Sequence, residues 1–508
     1  MPNNDMPREA PDDDRSPRTL LDNLRPPGWR NPQPAEIYNL VILGAGPAGL
    51  VAARGAAALG ARVALVERGF IGGDCLHVGC VPSKTLIRAS RLYADMRDAE
   101  HFGVPHPGAV NFDFAAVMAH VRRVQARISR SDSAGRLAEA GIDVFFGAGR
   151  FAGPDSIMVG GQRLRFKKAL VATGARPVTP AMPGFAEAGY LTNESVFDLS
   201  QCPRRLMVIG GGPLGCEVAQ AMVRLGAQVV IAQDEPMFLP GEERDAAQIL
   251  SDAMARDGVE IHLNTKVTGV RLEGGRKCVD LVRDDERQTV LADEILVGIG
   301  RAPNVEDMDL ERAGVIHNTQ AGVLVDDFLQ TSNPRIYAAG DVCLNYRFTH
   351  AAEATARLVV RNALFPGRAR LSGLTIPWCT YTDPEIAHVG LYVREAREKN
   401  IPVRTFTVLM QDVDRAITDG EDHGFVKIHI AQRSDRILGA TIVARHAGEM
   451  INGISLAMTS GLGLRALGRV IHTYPTQAAA VRQAADAYDR SRLTPFLYAL
   501  SKRWLAWR

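Results

Sequence analysis

The stretch Tyr38-Asn39-Leu40-Val41-Ile42-Leu43-Gly44-Ala45-Gly46-Pro47-Ala48-Gly49 decides the fold. An apolar run ends in glycines spaced Gly-x-Gly-x-x-Gly, small residues follow, and Ala61 to Glu67 is a second apolar run ending in an acid. Strand, glycine turn, helix, strand and terminal acid is the setting in which this pattern binds a dinucleotide. Gly44 permits the tight turn, Gly46 leaves room for a pyrophosphate, Gly49 lets helix and sheet approach, and Glu67 is placed to accept ribose hydroxyls.

The pattern recurs. Arg205 to Ile209 leads into Gly210-Gly211-Gly212-Pro213-Leu214-Gly215, with a helix expected over Cys216–Leu225 and a strand over Gln228–Ala232. Gly210, Gly212 and Gly215 take the same three roles. Each unit offers one helix N-terminus to one pyrophosphate, so two units imply two dinucleotides. The second strand ends Gln233-Asp234-Glu235, with an amide at Gln233 where the first unit has Glu67. Asp234 is the alternative ribose ligand. Two acids without a neighbouring arginine disfavour a 2′-phosphate, which favours NADH over NADPH.

Directly after the first unit comes Gly72-Gly73-Asp74-Cys75-Leu76-His77-Val78-Gly79-Cys80-Val81-Pro82-Ser83-Lys84. Cys75 and Cys80 are close enough in sequence for a small-loop disulfide. Their spacing does not suit zinc and the chain offers no second ligand pair, so no metal site is expected. Two such cysteines standing alone read as inert core thiols. Beside a dinucleotide unit they read as a redox pair.

On these residues the chain resembles the FAD-dependent pyridine nucleotide–disulfide oxidoreductases, which include dihydrolipoyl dehydrogenase, glutathione reductase and mercuric reductase. Gly73 to Lys84 is similar to that family's active-site motif. The resemblance implies that Cys80 lies against the flavin and Cys75 exchanges with substrate. It places FAD on the first unit and NAD(P)H on the second, and pairs Lys84 with Glu217 near flavin N5. Thr173-Gly174 resembles the segment leaving the flavin domain, and Gly300 with Arg301-Ala302-Pro303-Asn304 the segment returning to it. Gly340-Asp341 resembles the second FAD-contacting motif, with Asp341 on the ribityl chain. Tyr381 to Glu385 resembles the start of the interface domain, which implies a homodimer whose last motif enters the partner's active site.

The implied reaction passes a hydride from nicotinamide to flavin, then electrons through the Cys75–Cys80 disulfide to a small-molecule or disulfide acceptor. The alternatives are a diaphorase or quinone reductase with a peripheral disulfide, or activity like that of dihydrolipoyl dehydrogenase or a metal-ion reductase. One departure bears on the choice. The family carries a catalytic histidine before Pro-Thr and a glutamate three residues after the threonine. Here Tyr474 and Ala479 occupy those positions, and His472 precedes them by two residues. An ordinary tyrosine titrates near ~10 and is a poor base at neutral pH, so efficient turnover of lipoamide or glutathione disulfide is not expected. His472 takes the role only through a shifted loop. Tyrosine at this position is similar to mercuric reductases, yet no cysteine follows Cys379, so their C-terminal cysteine pair is missing.

Composition sets the wider frame. With 508 residues, 46% hydrophobic and 23% charged, the chain suits several globular domains. A net charge of +2 gives no case for a nucleic-acid partner. Seven scattered cysteines are unlike a secreted scaffold, the opening Met1 to Asp5 is no signal peptide, and no apolar run reaches membrane length. A cytoplasmic enzyme is the expectation.

The expected class is α/β, with two Rossmann-like dinucleotide-binding domains and a C-terminal α+β dimerisation domain. The expected division is a disordered extension over 1–37, an FAD domain over 38–190 and 316–373, an NAD(P) domain over 191–315, and an interface domain over 374–490. The extension is expected to dock, if at all, through Leu20, Leu21 and Trp29. Helices are expected over Thr85–Ala99, Phe112–Glu139 and His350–Leu364. Strands are expected over Asp143–Gly147, Ser156–Val159, Leu291–Gly300, Gly424–Ile430 and Ile437–Val443. Residues 491–508 read as a basic amphipathic helix, with Leu493, Phe496, Leu497, Leu500, Trp504 and Trp507 on one face. Packing on the protein's own dimer is the simpler reading of that face, and weak contact with anionic lipid is the alternative.

Overall fold

A computed structural model describes residues 17–105 and 113–508, and all counts below are of these residues. The strand Tyr38–Leu43 is buried at five of its six positions because it runs inside a parallel sheet covered on both faces. Val63–Glu67 pairs with it on one side and Gln162–Val171 on the other, both in parallel. Ile142–Phe146 extends the sheet beyond Val63–Glu67, and Ile336–Ala338 pairs in parallel with Gln162–Val171. An antiparallel meander, Arg150–Gly153 and Ser156–Val159, completes seven strands. Leu43, Val171 and Ala338 share one register line, so the chain leaves the sheet at Gly44, Ala172 and Ala339 on a single carboxyl edge. Ligands of open α/β sheets bind at that edge.

A second parallel sheet runs in the order Val259–His262, Gln228–Ala232, Arg205–Ile209, Glu294–Val297. Its carboxyl edge carries Gly210, Gln233 and Gly298 in the same way. A three-stranded antiparallel sheet spans Lys266 to Ala292. Two short strands, Ala175–Pro177 and Arg301–Pro303, pair antiparallel where the chain crosses between the two parallel sheets. A five-stranded antiparallel sheet over residues 377–444 forms the C-terminal part, with Ile437–Ala444 buried at every position.

One apolar core joins three parts of the chain. Leu86 and Ile87 of helix Cys80–Arg97 pack with Val218, Ala219 and Met222 of helix Pro213–Arg224 and with Ile386 and Phe425 of the C-terminal sheet. At about 1.5–3 kcal/mol for each large apolar side chain removed from water, this core fixes the two helices side by side.

Several expectations are corrected. The extension 1–37 is ordered where it is described. Pro17–Leu24 is helical, Leu24 is fully buried, and the Trp29 indole donates to the Val144 carbonyl at 3.2 Å. Leu20 and Trp29 pack on the core of the first parallel sheet, beside Leu40, Ile42 and Leu65, as expected, whereas Leu21 is exposed and Leu24 is the deeper anchor. Residues 1–16 lie outside the described residues, as does Phe112 at the start of an expected helix. From Phe114 that helix is broken. It ends at Ser129, and Ser133 caps a new helix, Ala134–Glu139, by accepting the Arg136 N–H. The strand expected over Leu291–Gly300 is two strands. Asp293 sits between them and takes both the Arg205 guanidinium and the Arg205 N–H. The helix expected from Thr85 begins at Cys80.

Candidate active site

Glycine shapes both carboxyl edges. A Cβ at Gly44 would stand 2.3 Å from the Ala172 carbonyl oxygen, and one at Gly210 would stand 2.5 Å from that of Gly298. Both residues have φ near +100°, where side chains are strained. Gly49 and Gly215 are closed by the turn itself, with Cβ positions 1.9 and 2.2 Å from the carbonyl oxygens of Gly44 and Gly210. Gly46 and Gly212 differ. A Cβ at Gly46 would meet its nearest protein atom at 3.8 Å, and one at Gly212 would meet none within 4 Å. These two cap the helices Pro47–Ala58 and Pro213–Arg224 without a side chain to satisfy the first-turn N–H groups. Both cradles fit a pyrophosphate, which takes those N–H groups and the positive end of the helix dipole.

Glu67 and Gln233 hold the two turns. Glu67 Oε2 accepts the Ala45 N–H at 2.8 Å and Oε1 accepts the Gly69 N–H at 2.7 Å. Gln233 Oε1 accepts the Gly211 N–H at 2.7 Å, while Asp234 beside it is exposed.

The cysteine segment is laid on the first cradle. A Cβ at Gly73 would stand 2.7 Å from Gly46 Cα, and the Gly72 N–H donates to the Ala45 carbonyl at 2.9 Å. Gly72 and Gly73, both at positive φ, start the single turn Gly73–His77 that carries Cys75. Buried Gln125 holds the end of that turn, donating to the carbonyls of Leu76 and His77 at 2.9 Å each. Gly79 then caps helix Cys80–Arg97, with Cys80 in its first turn.

Both cysteines are free thiols, and they hydrogen-bond each other. That bond dominates their titration. It lowers Cys80 to about 5, against the opposing effect of burial and with help from the Lys84 charge and the Thr349 hydroxyl. It raises Cys75 well above the ordinary thiol range, with burial acting in the same direction. Thr349 Oγ1 lies 3.5 Å from Cys80 Sγ. The directions of the two shifts favour the proton on Cys75 and the negative charge on Cys80.

Lys84 Nζ lies 2.7 Å from Glu217 Oε2. Burial alone would lower the lysine, but the charges of Glu217 and Cys80 outweigh it and raise the ammonium. The other oxygen of Glu217 accepts the Tyr381 N–H at 2.8 Å, and the Tyr381 ring lies 4.7 Å from the ammonium. Tyr381, Thr349 and Gln125 were not legible as site residues. Each is brought in by packing over long sequence distance, and no local pattern marks it.

The remaining expected residues are placed as follows. Thr173 Oγ1 donates to the Asn304 carbonyl at 2.7 Å, and the Asn304 N–H donates to Gly174 at 2.9 Å, which ties together the two crossing segments. Gly300 has φ +120° and accepts the Val178 N–H. Asp341 lies in the short turn Gly340–Val342, its carboxyl raised by burial although Arg301 Nε is 3.8 Å away. Arg301 also pairs with Asp74 of the cysteine turn. Tyr474 and His472 lie elsewhere on the chain. The Tyr474 hydroxyl donates to Asp414 at 2.8 Å, which raises the phenol further, and His472 Nε2 is 3.4 Å from the Leu467 carbonyl.

Known proteins resemble this chain along most of its length. Residues 38–356 match the model of the pyridine nucleotide-disulphide oxidoreductases, and residues 376–485 match that family's dimerisation domain, which supports a homodimer. A mercuric reductase of Staphylococcus aureus is 33% identical over 474 residues, covering 91% of this chain and 86% of the relative. A dihydrolipoyl dehydrogenase of Thermus scotoductus is 31% identical over 458 residues, covering 90% and 98%. Among solved structures, the HOCl-induced flavoprotein disulfide reductase RclA of Escherichia coli superposes with a TM-score of 0.79 at 27% identity, covering 88% of this chain and 99% of that one. LpdA of Mycobacterium tuberculosis gives 0.81 at 29% identity, with the same coverage. The chain belongs to the pyridine nucleotide–disulphide oxidoreductases, FAD-dependent enzymes that use NAD(P)H.

Proposed function

We propose that this enzyme takes electrons from NADH through its Cys75–Cys80 pair and delivers them to an acceptor that meets Cys75 without help from a histidine. The observation that carries this reading is the split between two touching thiols, one lowered to about 5 and the other raised, laid on the first glycine cradle. The residues present fit FAD on that cradle, with Gly44, Gly46 and Gly49 around the pyrophosphate and Asp341 and Lys84 toward the rest of the cofactor. Bound there, the flavin supplies two-electron chemistry between nicotinamide and thiols. Lys84, anchored by Glu217, stabilises negative charge that builds at Cys80.

With a disulfide acceptor, Cys75 loses its proton and attacks one sulfur, forming a mixed disulfide and releasing one thiolate. Cys80 then attacks the Cys75 sulfur, restores the Cys75–Cys80 bond and releases the second thiolate. Two electrons leave the pair in all. This route needs a base for Cys75, and the nearest thing to one in the C-terminal motif is poor. Tyr474 already commits its proton to Asp414, and Ala479 orients nothing. Lipoamide and glutathione disulfide are therefore slow substrates on this reading. A soft metal ion displaces the Cys75 proton to solvent as the two sulfurs ligate it, so no general base is needed for that step. Proteins named mercuric reductase among the relatives, and a Cu(II) complex of RclA among the solved structures, support that class.

A second reading, direct flavin transfer to quinones, is favoured by the same missing base, since it leaves the disulfide idle. Anaerobic reduction with NADH followed by an acceptor screen separates the two. Loss of acceptor reduction in Cys75→Ser supports the disulfide route, whereas unchanged turnover sinks it and leaves the quinone route.

A further inference from the structure

Beyond the dimerisation domain, which ends its match at residue 485, the chain continues into a helix, Pro495–Trp507. Pro at its first turn and Thr494, whose hydroxyl accepts the Leu497 N–H, start it cleanly. Every residue from Arg492 to Arg508 is exposed, including Phe496 at 74%, Trp504 at 56% and Trp507 at 83%. At 3.6 residues per turn, Phe496, Leu497, Leu500, Trp504 and Trp507 fall within an arc of about 100°. Two of the chain's four tryptophans stand on this arc, their rings 6.1 Å apart, and Arg508 lies 5.8 Å from the Trp504 ring. Arg503 and Arg508 border the arc and Lys502 lies opposite.

Charge decides what covers such a face. From Arg490 to Arg508 there are five basic residues and no acidic one, in a chain whose net charge is only +2. Pairing this helix with the same helix of a second copy would set like charges against each other. An anionic lipid surface supplies the opposite charge, and paired indoles with bordering arginines suit the headgroup boundary. Thirteen residues make a helix of roughly 20 Å, too short for a hydrocarbon layer of about 30 Å. No helix among the described residues is long and apolar enough to cross a membrane. We propose that Pro495–Trp507 docks the enzyme flat on an anionic lipid surface, with Phe496, Leu500, Trp504 and Trp507 in the acyl boundary and Arg503 and Arg508 at the headgroups.

The test uses the full-length holoenzyme with two vesicle types, phosphatidylcholine alone and phosphatidylcholine mixed with phosphatidylglycerol. Wild-type protein sediments with the mixed vesicles, is released by high salt, and stays largely free of the neutral ones. Arg503→Gln with Arg508→Gln lowers partitioning roughly 25-fold, about fivefold for each charge near the surface. Phe496→Ser with Trp504→Ser abolishes sedimentation and leaves dimer mass and NADH-dependent turnover unchanged. Three results would overturn the proposal: wild-type protein left in the supernatant with mixed vesicles, equal binding to neutral vesicles, or a serine variant that dissociates to monomers. The last would show that the partner subunit covers this face.

Discussion

At the end of the second strand of each dinucleotide unit, a side-chain oxygen accepts the N–H of the residue between the first two glycines. In the first unit it is Glu67 on Ala45 at 2.8 Å, and in the second Gln233 on Gly211 at 2.7 Å. The geometry is the same and the charge is not. A carboxylate holds the first loop with one oxygen and the Gly69 N–H with the other, whereas an amide holds the second loop and leaves acidity to exposed Asp234 and Glu235. The comparison shows why an acid absent from its expected position did not cost the second unit its loop. Hydrogen bonding needs only an acceptor there. The two units differ again in what touches them, since the cysteine turn presses on Gly46 of the first loop.

Substitutions at the third glycines probe that difference most severely. Gly49→Ala and Gly215→Ala each drive a methyl to within about 2 Å of a backbone oxygen, an overpacking worth about 1–3 kcal/mol or more. Gly49→Ala should purify with little flavin, judged by its visible spectrum. Gly215→Ala should retain flavin and raise the KM for NADH at least tenfold. The reverse pattern would invert the assignment of the two cradles.

Lys84→Met comes next. It strands Glu217, which is nearly buried, and breaking such a pair costs about 3 kcal/mol, the low end of the usual range because Lys84 is itself a third exposed. A lowered denaturant midpoint measures the loss, and the Cys80 titration should move upward. Cys75→Ala should move it further, because the Cys75 hydrogen bond is the largest cause of the shift.

The pH dependence follows with a definite sign. Cys80 is lowered, so its thiolate is present at neutral pH and is protonated as pH falls through about 5. Thiolate absorbance of the reduced enzyme should drop with that midpoint. A midpoint in the ordinary thiol range, near ~8.5, would remove the basis for treating Cys80 as the stored anion.

The smallest effect sharpens the comparison itself. Gln233→Glu keeps the bond to Gly211 and restores the missing charge. It should lower the NADPH-to-NADH ratio of kcat/KM by about tenfold, since like charges at contact range repel by more than 1.4 kcal/mol at the effective dielectric of a protein surface. An unchanged ratio would detach cofactor choice from this position.

What the sequence made legible was local. Glycine spacing, flanking apolar runs and the cysteine turn sit within a few tens of residues, so their geometry follows from chain connectivity. The residues around the cysteines do not. Lys84 and Glu217 are 133 positions apart, and Thr349 reaches Cys80 across 269. The pairing of Lys84 with Glu217 rests on family resemblance; Thr349 and Gln125 have no signal, and Tyr381 is marked only as the start of the interface domain. The N-terminal extension was misread for a different reason. Its proline, aspartate and arginine content resembles disorder, yet Leu20, Leu24 and Trp29 pack on the core of the first parallel sheet while Asn23 and Asn31 hydrogen-bond to Ser129 and Phe146. The break in the helix after Ser129 was legible and passed over, since Ser131-Asp132-Ser133 is a run of capping residues.

The central claim is that Cys80 is the thiolate stored against the first dinucleotide cradle, with Cys75 as its proton-holding partner. The most direct measurement is the long-wavelength thiolate-to-flavin absorbance of the Cys75→Ser and Cys80→Ser holoenzymes with their flavin oxidised, since neither variant has a disulfide to take electrons off a reduced flavin. The account predicts that Cys75→Ser keeps the band and Cys80→Ser loses it. A band that survives in Cys80→Ser and vanishes in Cys75→Ser would contradict it.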